Sequence, residues 1–77
     1  SERVQFTAGQ RFFSRGDAAD AAYVIFEGKA EVVIEGPGEA VKVAELGRNA
    51  LLGEMGILSE AARSATVIAV EPTVALR

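Results

Sequence analysis

The most informative part of the sequence is residues 53–67, Gly53-Glu54-Met55-Gly56-Ile57-Leu58-Ser59-Glu60-Ala61-Ala62-Arg63-Ser64-Ala65-Thr66-Val67. Glu54 and Arg63 lie nine residues apart in it, each beside small residues. An arginine presents a planar fork of donors that matches two phosphate oxygens, and a carboxylate accepts hydrogen bonds from sugar hydroxyls. Gly53 and Gly56 allow the backbone to come close to a ligand. The pattern therefore indicates a site for a small molecule with one phosphate and a neighbouring hydroxyl.

Short runs that alternate with period two surround this part of the sequence, as in β-strands with one buried face. In residues 30–35 the side chains of Ala30, Val32 and Ile34 share one predicted face. Residues 41–43 repeat the pattern, and residues 35–39, with their Gly-Pro-Gly centre, predict a hairpin turn between the two runs. Residues 23–26 are apolar throughout, which is typical of a strand covered on both faces.

Two more strands are predicted late in the chain, over residues 64–70 and from Thr73 onward, separated by Glu71-Pro72. One short helix is expected after Gly53, with apolar residues at Met55, Ile57 and Leu58. Tyr23 and the four phenylalanines are expected in the core. Several short strands at close turn spacing predict a mainly β fold, either a sandwich, a barrel or a jelly roll.

The composition excludes several classes of function. The 77 residues suffice for one domain, and they contain neither cysteine nor histidine, the commonest metal ligands and general base. The net charge is −3 with no cluster of Lys or Arg, so no nucleic acid partner is expected. No apolar run is long enough for a membrane segment, and a cytoplasmic location is expected. The last residues read as a strand, which predicts a domain core, residues 1–77, within a larger protein.

Residues 53–55 and 63–67 resemble the phosphate-binding cassette of the cyclic nucleotide-binding domain family, in which G-E-(L/M)-(A/S/G)-(L/I) is followed by R-(A/S/T)-A-T-V. The resemblance extends over nearly the whole chain. Residues 6–10 and 13–17 are similar to the family's opening strands and turn, residues 20–32 to its second turn and hairpin, and residues 46–54 to the approach to the cassette.

The resemblance implies an eight-stranded jelly-roll barrel with the short helix in the cassette, and it implies roles for individual residues. Arg63 would pair with the cyclic phosphate, and Glu54 would accept the ribose 2′-hydroxyl. The remainder of the implied ligand-binding set is the backbone of Gly53, Met55 and Gly56, the Ser64 hydroxyl and the Ala65 amide. The helices that flank the barrel in the family, including the one that caps the base, are not expected within residues 1–77.

The function that follows is regulatory: the domain would bind a cyclic purine nucleotide and control an effector domain in the same or a partner protein. Ser64 after the arginine resembles cAMP-binding members, so cAMP is favoured over cGMP. No cofactor, metal or catalytic residue is expected. Two alternatives remain open, a metal-dependent jelly-roll enzyme, which the lack of histidine disfavours, and a degenerate jelly roll with a structural or oligomerising role and no ligand.

Overall fold

The described residues form eight strands in two antiparallel sheets, and successive strands lie in different sheets except for β4 and β5. The computed structural model describes residues 2–53 and 62–77. The strands are β1 (Arg3–Phe6), β2 (Arg11–Phe13), β3 (Tyr23–Glu27), β4 (Ala30–Ile34), β5 (Val41–Leu46), β6 (Leu51–Leu52), β7 (Thr66–Ala69) and β8 (Thr73–Leu76). Sheet A has the order β1-β8-β3-β6, and sheet B has the order β2-β7-β4-β5. The mainly β jelly-roll prediction is confirmed, whereas the predicted cassette helix lies outside the described residues.

Among the strands of residues 2–53 and 62–77, only one consecutive pair forms a hairpin. β4 and β5 pair directly across residues 35–40, as the Gly-Pro-Gly turn predicts. Every other connection passes from one sheet to the other. β3 and β4 are joined by Gly28-Lys29, but they belong to different sheets, so the expected hairpin at this point is instead a corner. Gly28 has φ 107°, and a Cβ there would lie 2.6 Å from the Thr73 Cα, so only glycine fits this corner.

The core lies between the two sheets and is centred on aromatic side chains. Phe6 of sheet A stacks on Phe12 of sheet B with ring centroids 3.9 Å apart. Tyr23 meets the Phe12 ring edge-on at 5.4 Å. Ile25 belongs to the same core cluster and is fully buried, and burial of such a side chain contributes about 1.5–3 kcal/mol. The core prediction is confirmed for Phe6, Phe12 and Tyr23.

The outer face of sheet A contradicts the prediction that residues 23–26 are covered on both sides. Val24 is 36% exposed and Phe26 is 45% exposed. Val24 pairs with Leu51 on one side and with Leu76 on the other, so three exposed apolar residues form a row. The guanidinium of Arg3 lies 5.7 Å from the Phe26 ring centroid. Apolar residues on both faces of a strand allow burial of both faces but do not require it. Among the described residues, only the inner face of β3 is covered.

A second departure occurs in β4, where burial does not follow strict alternation. Ala30 and Val33 are buried, whereas Val32 is only partly buried. The register against β5 shifts between Val32, which faces Ala44, and Val33, which faces Lys42. Val43 is therefore the extra residue of a β-bulge on β5, where it breaks the period-two pattern. β4 itself has no extra residue, and Ala30 and Val32 both pack on the core as predicted.

The two ends of the chain are adjacent. The Glu2 amide donates to the Arg77 carbonyl at 3.2 Å, and the Arg77 amide donates to the Glu2 carbonyl at 2.7 Å. These bonds continue the β1–β8 ladder. No helix formed by the described residues has the length and apolar character needed to cross a membrane.

Candidate functional site

The side chain of Arg63 is the centre of the candidate site, and it is 5% exposed although it carries a full positive charge. Arg63 precedes β7 in sheet B, whereas its guanidinium reaches the edge of sheet A. Its Nη1 donates to the carbonyl of Gly53 at 2.8 Å, and its Nη2 donates to the carbonyl of Ala21. Because Gly53 follows β6 and Ala21 precedes β3, the guanidinium connects the ends of two paired strands.

Phe13 forms a face of the same site. The guanidinium carbon of Arg63 lies 4.0 Å from the centroid of the Phe13 ring, which is well within cation–π distance. This contact restricts the position of the guanidinium, because it places the cation over the face of the ring. Phe13 is half-buried, and its contact with Arg63 was not predicted, because the sequence indicated a core position for it.

One donor of Arg63 has no acceptor among the described residues. The Nε atom is buried and lacks a hydrogen-bond partner there. The ion pairs of the described residues also join other side chains, so no described carboxylate neutralises this cation. Removing a cation from water costs several kcal/mol unless opposite charge or good acceptors compensate. The arrangement therefore favours an anion at this position.

Gly53 lies directly against the guanidinium. It has φ 89°, in the left-handed region. A Cβ built on it would collide with Nη1 of Arg63 and would lie 3.2 Å from the Ala21 carbonyl oxygen. Glycine is thus required twice here, for the backbone angle and for the close approach.

Of the other predicted site residues, the structure describes two and leaves three outside the described residues. Ser64 is exposed and Ala65 is half-buried, and both follow Arg63 directly toward β7. The structure thus brings Gly53 and Arg63 into contact, with Ser64 and Ala65 adjoining. Glu54, Met55 and Gly56 lie outside the described residues.

Ala21 and Phe13 contact Arg63 but were not among the predicted site residues. The Ala21 carbonyl gives no signal, since every residue has one. Consecutive aromatic residues at 12 and 13 are a weak signal, because adjacent strand residues normally face opposite sides. Phe12 is in fact the extra residue between the paired positions Arg11 and Phe13.

A cavity of about 350 Å³ also borders Arg63, and its walls include Phe12, Phe13 and Tyr23. Asp17 and Asp20 lie at the same cavity. Two carboxylates disfavour a phosphate on that side of the arginine. No group of three or more acidic side chains suited to a metal ion occurs within residues 2–53 and 62–77.

Comparison with known proteins agrees with this architecture. The sequence model of the family described as "Cyclic nucleotide-binding domain" matches residues 3–77. The chain belongs to the cyclic nucleotide-binding domain family. The resemblance of its cassette and strands to that family is therefore confirmed.

Relatives of this cyclic nucleotide-binding domain are much longer proteins. The chain is 40% identical over 68 residues to the cAMP-dependent protein kinase regulatory subunit of Mucor circinelloides f. lusitanicus, with 88% of this chain and 16% of the subunit covered. It is 37% identical over 73 residues to the lysophospholipase nte1 of Aspergillus fumigatus, with 94% of this chain but 5% of the relative covered. The chain thus spans a small part of the relatives that it matches.

A solved structure of high similarity is the EAL enzyme Bd1971 in its cAMP-bound form. It superposes with a TM-score of 0.94 at 32% identity, with 97% of this chain and 20% of the enzyme covered. The same enzyme has also been solved in a cGMP-bound form. The jelly-roll architecture is therefore shared in detail with a nucleotide-binding relative.

Proposed function

We propose that this domain binds a cyclic purine nucleotide, cAMP in preference to cGMP, and thereby regulates an effector domain in the same or a partner protein. The observation that carries the proposal is the buried guanidinium of Arg63. It lies over the Phe13 ring and donates to two backbone carbonyls, and no ion pair among the described residues includes it.

The charge and shape of the ligand follow from this arrangement. A cyclic phosphodiester carries one negative charge, which matches one arginine without a second cation. Its two non-bridging oxygens match two parallel donors of a guanidinium. The carbonyls of Gly53 and Ala21 occupy one donor on each terminal nitrogen, so the second hydrogens and Nε remain for the ligand.

The remaining roles complete the proposal. Glu54 would accept the ribose 2′-hydroxyl, and the backbone of Gly53, Met55 and Gly56 would line the phosphate. The Ser64 hydroxyl and the Ala65 amide would add donors beside Arg63. The exposed position of Ser64 leaves its hydroxyl accessible, and serine at this place is the reason for preferring cAMP.

The proposed role is regulatory and not catalytic. The kinase regulatory subunit among the relatives supports it, as does the cAMP-bound form of the enzyme Bd1971. The absence of histidine and cysteine removes two common catalytic side chains. No cofactor is proposed besides the nucleotide ligand.

Calorimetric titration with cAMP and with cGMP tests the proposal. We expect saturable binding, and Arg63→Ala should weaken it by about 2–5 kcal/mol, as for truncation of one member of a buried charge pair. Arg48→Ala is the matched control, because it removes the same charge from an exposed arginine whose guanidinium carbon lies 5.8 Å from the Phe26 ring centroid. Unchanged affinity in Arg63→Ala would exclude Arg63 as the phosphate ligand.

The alternative, a jelly roll with a structural role and no ligand, gives a different result. It predicts no heat of binding with either nucleotide at any concentration that leaves the protein folded.

A further inference from the structure

The backbone of Arg63 is held by a loop at the opposite end of the sequence. Gly16 donates its amide hydrogen to the Arg63 carbonyl at 2.8 Å, and Arg63 donates its own to the Asp17 carbonyl at 2.9 Å. The loop is a closed turn, since the Ser14 amide donates to Asp17 Oδ2 at 2.9 Å and the Asp17 amide donates to the Ser14 carbonyl at 3.0 Å. The position of Arg63 therefore depends on where this turn sits.

Thr66 fixes the turn to sheet B. The amide of Arg15 donates to the Thr66 hydroxyl oxygen at 2.9 Å, and Thr66 is fully buried. The hydroxyl in turn donates to Glu35 Oε1 at 2.6 Å. Arg11 and Thr66 lower the pKa of Glu35 to about 2, so near neutral pH this carboxylate has no proton to donate. The Thr66 hydrogen must point to Glu35, which leaves the oxygen lone pairs for Arg15.

Glu35 is itself held from three sides. Arg11 donates to its two carboxylate oxygens at 2.8 Å and 2.9 Å, a bidentate geometry that fixes the carboxylate plane. The guanidinium of Arg15 donates to the Glu35 backbone carbonyl at 2.8 Å. We call Arg11, Arg15, Glu35 and Thr66 the Glu35 network. It joins β2, the β4–β5 turn and β7 behind the loop that holds Arg63.

We propose that Glu35 and Thr66 are positioning residues for nucleotide binding, which act through the turn at residues 14–17 and place the guanidinium of Arg63. The inference rests on the proposed function. Neither side chain contacts Arg63 directly, and Glu35 lies 28 residues before it. The network makes the β4–β5 hairpin part of the binding apparatus, so a partner that moves this hairpin would change nucleotide affinity.

Two substitutions with matched controls test the inference. Thr66→Val keeps the side-chain shape but removes the hydroxyl, and Thr66→Ser restores it. Glu35→Ala breaks the network, and Glu45→Ala is its control, because Glu45 forms exposed ion pairs with Lys29 and Lys42 on the same sheet. Affinity for cAMP is measured by calorimetry at a temperature at which every variant is fully folded, so that lost stability alone does not lower it.

Within each pair of variants, we expect the test substitution to weaken cAMP binding and its control to leave it unchanged. Thr66→Val and Glu35→Ala should bind cAMP about tenfold more weakly, as for loss of one hydrogen bond to a charged group, whereas Thr66→Ser and Glu45→Ala should stay within about twofold of the unaltered protein. Hydrogen exchange at the Gly16 and Arg63 amides should accelerate in Thr66→Val and Glu35→Ala, but not in Thr66→Ser or Glu45→Ala. Exchange at the β1–β8 ladder should not change.

The outcomes separate this inference from the proposed function. If the unaltered protein binds cAMP and all four variants bind equally well, the positioning role is wrong and the proposed function stands. If the unaltered protein binds neither cAMP nor cGMP, the proposed function fails and the positioning role fails with it. Unchanged exchange at Gly16 and Arg63 in Thr66→Val would overturn the inference in either case.

Discussion

At the scale of single residues, the site depends on how one arginine is kept buried. The Gly53 and Ala21 carbonyls and the ring of Phe13 offset part of the cost of removing the Arg63 cation from water. Backbone carbonyls carry partial negative charge, so they orient the cation without neutralising it. An anionic ligand therefore still gains the full attraction of the arginine, in a setting where water screens it weakly.

Gly53→Ala tests the close approach beside this arginine. The substitution should lower the free energy of unfolding by about 1–2 kcal/mol, because φ 89° is strained for any residue with a Cβ. It should also weaken cAMP binding, since the new Cβ displaces Nη1 of Arg63. Chemical denaturation and calorimetry measure the two effects.

Gly9→Ala is the control for this variant. Gly9 has φ 90°, but no atom lies within 4 Å of an added Cβ. It should therefore show the same backbone strain with unchanged affinity. Equal affinity losses in both variants would contradict the proposed contact between Gly53 and the arginine.

The candidate site was only partly predictable at this scale. The sequence predicted Arg63 and Gly53 as members of one ligand-binding set, because residue type and spacing carry that signal, but it did not predict their contact with each other. It gave no indication of Ala21, which acts through a carbonyl that every residue has, or of Thr66, whose role depends on a carboxylate 31 residues away. Long-range hydrogen bonds of this kind leave no local pattern in a sequence.

At the scale of elements, the strands were easier to predict than their partners. The turn at residues 35–39 specified the β4–β5 hairpin locally. The corner at Gly28-Lys29 has equally suitable turn residues, but β3 and β4 separate because Gly28 packs against Thr73 of β8. Likewise, the bulge at Val43 arises from pairing with β4, which a single strand's pattern does not show.

The Glu35 network predicts how the free energy of unfolding depends on pH. The pKa of Glu35 falls from its ordinary value of 4.5 to about 2 on folding, so the folded state favours the ionised carboxylate. Its stabilising contribution is complete above pH 4.5 and is lost as the pH falls toward 2, because the unfolded chain binds the proton first.

Urea denaturation of the unaltered protein and Glu35→Gln across this range measures the effect. The difference in unfolding free energy between them should be constant from pH 7 to about pH 5 and then shrink with acidification. The charge pair is partly exposed, with Arg11 and Glu35 side chains 44% and 37% accessible, so salt should reduce the difference. A difference that grows as the pH falls would contradict the assigned direction of the pKa shift.

At the scale of the whole molecule, 77 residues enclose a small core, so ligand binding should have a large influence on stability. Nucleotide that binds only the folded state stabilises it by about 2.7 kcal/mol at a hundredfold excess over Kd. For a domain this small, the melting temperature should rise by about 10 °C or more.

A thermal melt with increasing cAMP tests this expectation. The control is 5′-AMP, whose phosphate is not cyclic and carries a different charge, and it should shift the melting temperature less. A melting temperature that is independent of cAMP concentration would favour the structural alternative.

The hydrogen bonds between Glu2 and Arg77 have an architectural consequence. Polypeptide attached before Glu2 and after Arg77 leaves the barrel side by side, from one ladder. Such a module can be spliced into a surface loop of a host protein without separating the host's own segments, which keeps the entropic cost of the insertion low. In the relatives, the matched region occupies 5% to 20% of the chain. Both attached segments would begin at the β1–β8 ladder, so a shift of β1 against β8 would move both connections to the host protein together.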